Sequence, residues 1–163
     1  MPLPSIRLTN LFGFALAAYG LSLALYSEHF LGYEPCPMCI LQRIAIIAVG
    51  IAFLLALIHN PKGRGSKVYA TTTLLGAILY ASIAARHLWI QSLPAEEVPV
   101  CSFGVDFMLE TFPLWEVFSM ILTGSAACAE REEIFGLRIP VWSMIVSFAF
   151  AIMSLSILFR RKD

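Results

Sequence analysis

The chain has few charged residues for its length. Of its 163 residues only 13% are charged and 59% are apolar, whereas soluble domains carry about 25% charged residues. Transmembrane helices need roughly 17–25 mostly apolar residues, so the long uncharged stretches predict membrane spans and leave no room for a separate soluble domain. Lys, Arg, Asp and Glu are all absent from Leu8–Ser27, Ile44–His59, Val68–Ala85 and Ile139–Phe159.

Several common binding motifs are also missing. The sequence has no glycine-rich phosphate loop, no basic stripe suited to nucleic acid, no internal repeat and no low-complexity tract. Nucleic acid is therefore not an expected partner.

These patterns predict an all-α membrane protein with a four-helix transmembrane bundle. Residues 1–163 form one integral membrane domain, with spans at about 9–27, 40–58, 69–90 and 141–159. The outer loops are 28–39 and 91–140, and the cytoplasmic loop is 59–68. The apolar segment Phe112–Thr123 is too short to span, and it predicts a short interfacial helix in the second outer loop, anchored by Trp115 and Phe118.

The basic residues are concentrated on one side of this topology. The N-terminal segment, the 59–68 loop and the segment after the fourth span hold seven of the 11 basic residues, and of the acidic residues only Asp163. An excess of Lys and Arg in the loops on one side marks the cytoplasmic side of a membrane protein. Both termini are therefore predicted to be cytoplasmic.

The first span loosely resembles a cleavable signal peptide, with Ser22-Leu23-Ala24 in the place of a cleavage site. The apolar run is long for a signal peptide, and the bulky Leu25 and Tyr26 follow. We therefore expect the span to be retained, and the mass of the mature chain tests this.

All four cysteines are predicted to face the exterior, where disulfides persist. Four cysteines allow three pairings, of which Cys36 with Cys39 and Cys101 with Cys128 is the simplest. Closing the 28-residue ring from Cys101 to Cys128 would stabilise the protein by about 3.6 kcal/mol, and the four-residue ring by about 1.9 kcal/mol before strain. A structural role is thus credible for the second pair and poor for the first.

The Cys36-Pro37-Met38-Cys39 motif opens the second apolar run. Small strained rings are easily reduced and tend to be catalytic, and unpaired N–H groups at a helix start stabilise thiolates. The motif therefore favours redox chemistry over a structural bond. A metal site is the other alternative, but the spacing of the four cysteines does not resemble paired zinc knuckles, so no metal is predicted.

Arg43 lies four residues after Cys39 and so one turn deeper on the same helical face. An arginine at the edge of the hydrocarbon either reaches the interface as an anchor or has a partner. The alternatives are an anchor, or a cation that lies beside the Cys39 thiolate and polarises a bound carbonyl. Arg86 and His87 end the third span at the same depth, as anchors or as members of that pocket.

Pro94 and Pro99 disfavour helix, so residues 93–103 are predicted to be extended. This would place Cys101 on an exposed segment that a partner protein could bind.

In combination these features resemble the DsbB family of bacterial inner-membrane disulfide bond formation proteins, and the resemblance covers nearly the whole chain. Such proteins keep the bacterial periplasm oxidising. The motifs that carry the resemblance are Cys36-x-x-Cys39-x-x-x-Arg43, Cys101 in a proline-flanked loop, and Cys128-Ala129-Glu130-Arg131 ahead of Phe135-Gly136-Leu137.

The resemblance implies roles for the four cysteines. A reduced periplasmic thioredoxin-fold oxidase of the DsbA type would attack the Cys101–Cys128 disulfide at Cys101. The freed Cys128 would pass electrons to the pair formed by Cys36 and Cys39.

The resemblance also implies an acceptor and a location. The Cys39 thiolate would face a membrane quinone, either ubiquinone or menaquinone, which Arg43 and His87 would help to hold. The implied protein is a quinone-dependent protein-disulfide oxidoreductase of the bacterial inner membrane, with its cysteines in the periplasm.

Two alternatives stay open. One is a four-span structural or adaptor protein with disulfide-stapled outer loops. The other is the same relay run in the reductive direction, because the residue types are the same for either direction of electron flow.

Overall fold

Four long helices form the body of the protein in a computed structural model that describes residues 5–94, 96–98, 105–124, 126–130, 133–134 and 136–160. Each is long and apolar enough to cross a membrane. The predicted fold class, an all-α four-helix membrane bundle, is confirmed. The four helices are α1 (Ile6–Leu31), α2 (Pro37–His59), α3 (Arg64–Ser92) and α7 (Ile139–Leu158).

Local sequence accounts for several helix ends. The Ser5 side chain caps α1 by accepting a hydrogen bond from the Leu8 N–H at 3.3 Å. The helix stops at Gly32, whose φ of 72° is left-handed, a conformation that glycine adopts without strain. Asn60 ends α2 in the same way, with φ of 42°.

The helices pack in a closed ring in which α1 contacts α2, α2 contacts α3, α3 contacts α7, and α7 contacts α1. Phe53 and Phe150 are fully buried at its centre with ring centroids 5.6 Å apart. Between α3 and α7 the Thr73 and Ser154 hydroxyls are hydrogen-bonded at 2.8 Å. Such a buried pair satisfies two polar groups that would otherwise destabilise the interior.

Each of the four long helices is longer than the span predicted for it. Residues 28–31 and 37–39, assigned to the first outer loop, are helical, so the connection between α1 and α2 is only residues 32–36. A helix can continue past the membrane boundary, so the ends of these helices do not mark the ends of the spans. The limits of the spans therefore stay predictions.

The segment predicted as the second outer loop, residues 91–140, contains more structure than the single helix predicted from sequence. The helix α5 (Leu114–Thr123) corresponds to the predicted one, and it exposes Leu114 and Trp115. Two further helices and a hairpin were not predicted, because elements this short depend on tertiary contacts. They are α4 (Val105–Thr111), α6 (Ala126–Ala129), β1 (Glu133–Ile134) and β2 (Leu137–Arg138).

Hydrogen bonds from side chains of α3 and α7 attach this loop to the bundle. The Arg86 guanidinium on α3 donates to the Leu122 carbonyl at 3.1 Å and to the Thr123 carbonyl at 3.3 Å, at the end of α5. The Trp142 indole N–H on α7 donates to the Ile134 carbonyl of the hairpin at 3.0 Å. Arg86 therefore satisfies helix-end carbonyls and holds α5 against α3.

The predicted extended segment 93–103 is described only in part. The Glu97 N–H donates to the Pro94 carbonyl at 2.9 Å, so this part is a turn rather than extended chain. Cys101 lies outside the described residues.

Candidate redox site

The first cysteine pair sits at the start of α2. Cys36 is the N-cap residue, and its sulfur accepts a hydrogen bond from the Cys39 N–H at 3.3 Å. Pro37 follows at the first helical position, where its missing N–H leaves nothing unsatisfied. The cap brings the Cys36 and Cys39 sulfurs to 2.9 Å. Local sequence alone therefore places the two thiols next to each other.

A third cysteine joins this pair from the second outer loop. Cys128, on α6, is completely buried, and its thiol is hydrogen-bonded to that of Cys36, which is also buried. Cys39 is only partly buried. The structure thus brings together three of the four cysteines predicted as site residues, with Cys36 between the other two.

The environment of Cys36 keeps its sulfur protonated. Hydrogen bonds with Cys128 and Cys39, together with burial, raise the pKa of the Cys36 thiol above its ordinary value. The Cys39 N–H at the helix start acts in the opposite direction, but the neighbouring thiols and burial outweigh it. The stabilisation that the helix start was expected to give a Cys36 thiolate is therefore outweighed in the reduced protein.

His87 lies against the buried thiols. It is 2% exposed, and its Nε2 is 3.1 Å from the Cys128 carbonyl oxygen and 3.8 Å from the Cys36 sulfur. Its Nδ1 is 3.1 Å from the Gln42 side-chain nitrogen. Both ring nitrogens thus have protein partners on the thiol side of the bundle, and a role in holding a quinone stays a prediction.

Two buried glutamines, which sequence reasoning missed, complete the site. The Ser143 hydroxyl donates to Gln42 Oε1 at 2.8 Å, and the Gln91 side-chain N–H donates to the Glu130 carbonyl at 3.0 Å. The sequence did contain a signal for these two residues. Gln42 is an amide next to Arg43 in an apolar run, and Gln91 is an amide that follows His87 by four residues. Buried amides need partners, and here those partners belong to the site.

A shallow surface recess, with about 260 Å³ of free space that includes open solvent, lies at this end of the bundle. Within the described part of the chain, the Gln91 Oε1 atom is buried and has no hydrogen-bond partner. Cys36 and Cys39 both border this recess. Its lining residues are Glu34, Cys36, Cys39, His87, Gln91, Ala127, Glu130 and Ile139.

The same atoms meet one distance requirement of a metal site. The Cys36 and Cys39 sulfurs and one His87 ring nitrogen all lie within 4.8 Å of one another. A metal binds a ring nitrogen that carries no proton, whereas Nε2 faces the Cys128 carbonyl, which can only accept. The arrangement therefore favours thiol chemistry over metal binding.

Arg43 has a partner that the sequence analysis did not identify. Its guanidinium forms a salt bridge with Glu28 on α1 and donates to the Ala24 carbonyl at 3.1 Å. Both charged side chains are partly buried, 19% and 30% exposed. Arg43 is thus held at the seam between α1 and α2, one turn below Cys39, and its proposed contact with a quinone stays a prediction.

The protein combines apolar helices long enough to cross a membrane with two adjacent thiols at the start of one of them. A third thiol from another loop contacts this pair. Together these features indicate a multi-pass membrane protein that exchanges disulfides. Comparison with known proteins agrees, since the family model "Disulfide bond formation protein DsbB" matches residues 6–157. The chain belongs to the DsbB family, and it is a membrane thiol oxidoreductase, as the resemblance implied.

Several similar proteins are described as "Disulfide bond formation protein B". That of Chromobacterium violaceum is 42% identical over 96% of this chain and 98% of its own. That of Nitrosococcus oceani is 43% identical over 93% and 90%, respectively. That of Hahella chejuensis is 45% identical over 83% of each chain. The similarity therefore extends over most of the chain.

Proposed function

We propose that this protein reoxidises a periplasmic thioredoxin-fold dithiol oxidase of the DsbA type and passes the electrons to a membrane quinone. The contact between Cys128 and Cys36 is the observation that carries the proposal. It joins the second outer loop, which would meet the partner, to the helix dithiol, which would meet the acceptor.

Thiol–disulfide exchange accounts for the steps on the partner's side. A thiolate of the reduced partner attacks the Cys101 sulfur, the Cys101–Cys128 bond breaks, and Cys128 leaves as a thiolate. The partner's second thiolate then breaks the mixed disulfide, so that the partner leaves oxidised and Cys101 becomes a thiolate.

Two further exchanges move the electron pair inward. The Cys128 thiolate attacks the Cys36 sulfur of the Cys36–Cys39 disulfide, and Cys39 leaves as a thiolate. The Cys101 thiolate then attacks Cys128, which restores the Cys101–Cys128 bond and releases Cys36 as a thiolate. The partner's two electrons are now on the dithiol at the start of α2.

A bound quinone supplies the two-electron, two-proton acceptor that returns this dithiol to a disulfide. The residues present fit such a group, because its carbonyl oxygens need donors and its ring and tail need apolar surface. The Arg43 guanidinium supplies N–H donors one turn from Cys39, and Glu28 fixes its position. Ile44 and Ile47, on the same helix as Arg43, are exposed and supply apolar surface.

The proposed setting is the bacterial inner membrane. The apolar parts of α1, α2, α3 and α7 are the proposed spans of a single domain, and the concentration of basic residues supports cytoplasmic termini. The described cysteines all lie at the end of the bundle where α2 begins and α3 ends. That end is the proposed periplasmic side.

The test mixes the purified oxidised protein with a reduced DsbA-type dithiol and ubiquinone, and follows the quinone absorbance. We expect quinone loss that is abolished in Cys39→Ser, with membrane insertion unchanged. A partner variant that lacks its second cysteine should accumulate a mixed disulfide with Cys101 of the natural chain, because the thiolate that breaks this bond is missing.

Absence of quinone loss with both ubiquinone and menaquinone would contradict the proposal. Combined with bonds that resist mild dithiols, it would favour a structural protein with stapled loops. Starting from quinol and an oxidised partner tests the reductive direction, which should proceed more slowly.

A further inference from the structure

We propose that Gln42 holds His87 as the tautomer with a proton on Nε2, and that this N–H positions the Cys128 loop and stabilises Cys36 when it leaves as a thiolate. The inference rests on the proposed function and adds positioning residues for the exchange between the two cysteine pairs. Gln42 and Ser143 act through His87 and do not touch the reacting sulfurs.

The proton on Nε2 follows from its shortest contact. Nε2 lies 3.1 Å from the Cys128 carbonyl oxygen, which has no proton to donate. A hydrogen bond at this distance therefore requires the imidazole N–H to be on Nε2. The Cys36 sulfur, 3.8 Å from the same nitrogen, is a second acceptor for that N–H. The Gln91 side-chain nitrogen is also 3.5 Å from Nε2, at the limit of hydrogen-bonding distance, and it donates to the Glu130 carbonyl at the shorter distance of 3.0 Å.

The other ring nitrogen then needs a donor. His87 is buried, and none of its hydrogen-bond partners in the described part of the chain is a carboxylate, so its ring is neutral. Nδ1 is then an acceptor, and the Gln42 amide N–H is 3.1 Å away. If the Gln42 amide were turned the other way, its oxygen would face the lone pair on His87 Nδ1.

Ser143 fixes the direction of that amide. Its hydroxyl donates to Gln42 Oε1 at 2.8 Å, and the two residues are 7% and 4% exposed. The chain of donors therefore runs from Ser143 to Gln42, to His87, and then to the Cys128 carbonyl and the Cys36 sulfur. Three helices supply it, because Gln42 is on α2, His87 on α3 and Ser143 on α7.

This N–H acts where the exchange needs it. Cys36 must leave as a thiolate when Cys101 attacks Cys128, yet its sulfur is buried among other thiols. Charge-assisted hydrogen bonds are roughly twice as strong as neutral ones, so the donor stabilises the thiolate more than the thiol. The same N–H also donates to the Cys128 carbonyl and so holds Cys128 beside Cys36. The Cys101 thiolate of the outer loop can then attack the bond between Cys36 and Cys128.

The tautomer can be read directly from nitrogen NMR of ¹⁵N-histidine-labelled protein in detergent. The His87 signals are assigned by their loss in His87→Gln, which leaves His29 and His59. We expect a protonated Nε2 and an unprotonated Nδ1 in the natural chain, and a mixture of tautomers in Gln42→Leu. Protonation of Nδ1, or of both nitrogens, in the natural chain would overturn the proposal.

The exchange is measured in quinone-depleted protein, so that the acceptor plays no part. A reduced DsbA-type dithiol is added, the reaction is stopped with acid and an alkylating agent, and the reduced Cys36–Cys39 pair is quantified by mass spectrometry. We expect Gln42→Leu to form it about tenfold more slowly, the loss of roughly one hydrogen bond to a charged group. Ser143→Ala should have a smaller effect in the same direction.

Two variants separate positioning from stability. His87→Gln retains a side-chain N–H and should recover part of the rate that His87→Leu loses. Thr73→Val removes a buried hydrogen bond of the same bundle, that between Thr73 and Ser154, and should leave the exchange rate unchanged. An equal loss of rate in Thr73→Val and Gln42→Leu would mean that stability alone is responsible, and would overturn the proposal.

Further outcomes separate this proposal from the proposed function. Unchanged exchange in Gln42→Leu and His87→Leu, with slower quinone reduction, would overturn the proposal and assign His87 to the acceptor. Failure of the natural chain to reduce its Cys36–Cys39 pair would overturn the proposed function instead. The NMR measurement distinguishes the two, because it needs neither partner nor quinone.

Discussion

The salt bridge between Arg43 and Glu28 allows a quantitative test of whether Arg43 binds the quinone. If Glu28 holds Arg43 in place for a quinone carbonyl, Glu28→Gln should weaken quinone binding without affecting thiol exchange. The substitution keeps the size of the side chain and removes its charge. Arg43 would retain its hydrogen bond to the Ala24 carbonyl, so its side chain would be less restrained but still attached.

The magnitude follows from the exposure of the pair. A hydrogen bond to a charged group contributes about 1.5–3 kcal/mol, and exposed ion pairs contribute about 0–1 kcal/mol. The two side chains are 19% and 30% exposed, which places this pair between those limits, at about 1.4 kcal/mol or tenfold in an equilibrium constant. We therefore expect the KM for quinone to rise about tenfold, with kcat little changed.

The assay is steady-state quinone reduction at a fixed concentration of reduced partner dithiol. Glu28→Gln, Arg43→Met and the double variant form a cycle, with Glu116→Gln, an exposed acidic residue on α5, as the matched control. The double variant should be no worse than Arg43→Met alone, because Glu28 then has nothing to position. Strictly additive effects on KM would refute the reasoning, as would a Glu28→Gln variant whose thiol exchange is slow.

Two further predictions concern packing and pH. In Gly13→Ala the new Cβ would meet the buried Phe53 ring at 2.7 Å, and overpacking of about 1–3 kcal/mol should exceed the helix-propensity gain of about 1 kcal/mol, so the thermal unfolding temperature should fall. Gly20→Ala, which meets only the end of a flexible side chain at 3.0 Å, is the control, and equal effects would show that close packing is not the cause. Because the pKa of Cys36 is raised in the folded state, its contribution to stability is complete below the ordinary cysteine pKa of about 8.5 and is lost as the pH rises above it. Thermal unfolding of the reduced protein at increasing pH should show this loss of stability, and the loss should be smaller in Cys36→Ala. Iodoacetamide should also label Cys39 before Cys36. The same dependence of the unfolding temperature on pH in the natural chain and in Cys36→Ala would contradict the assignment.

Much of the fold could be predicted because its cause is local in sequence. A bilayer requires long apolar helices whose backbone groups are satisfied within the segment, so four uncharged stretches were enough to predict four helices. The proximity of the Cys36 and Cys39 thiols is local in the same sense, because a cap residue and the third residue of its helix are always neighbours. The redox class of the protein therefore followed from composition and one motif.

The second outer loop was predicted less well. Its short helices and hairpin have too few internal hydrogen bonds to be stable alone, so they depend on contacts such as those of Arg86 and Trp142 with distant carbonyls. No local pattern in the sequence indicates which carbonyl such a side chain will reach.

The sequence by itself determined the membrane class, the four helices and the adjacent thiols at the start of α2. Only the tertiary structure decided which partners those thiols have. Cys128 reaches Cys36 across the second outer loop, Glu28 pairs with Arg43, and Gln42 faces His87. These contacts join residues on different elements, and they depend on how the helices are rotated and packed, because only packing determines which face of each helix is turned toward the site.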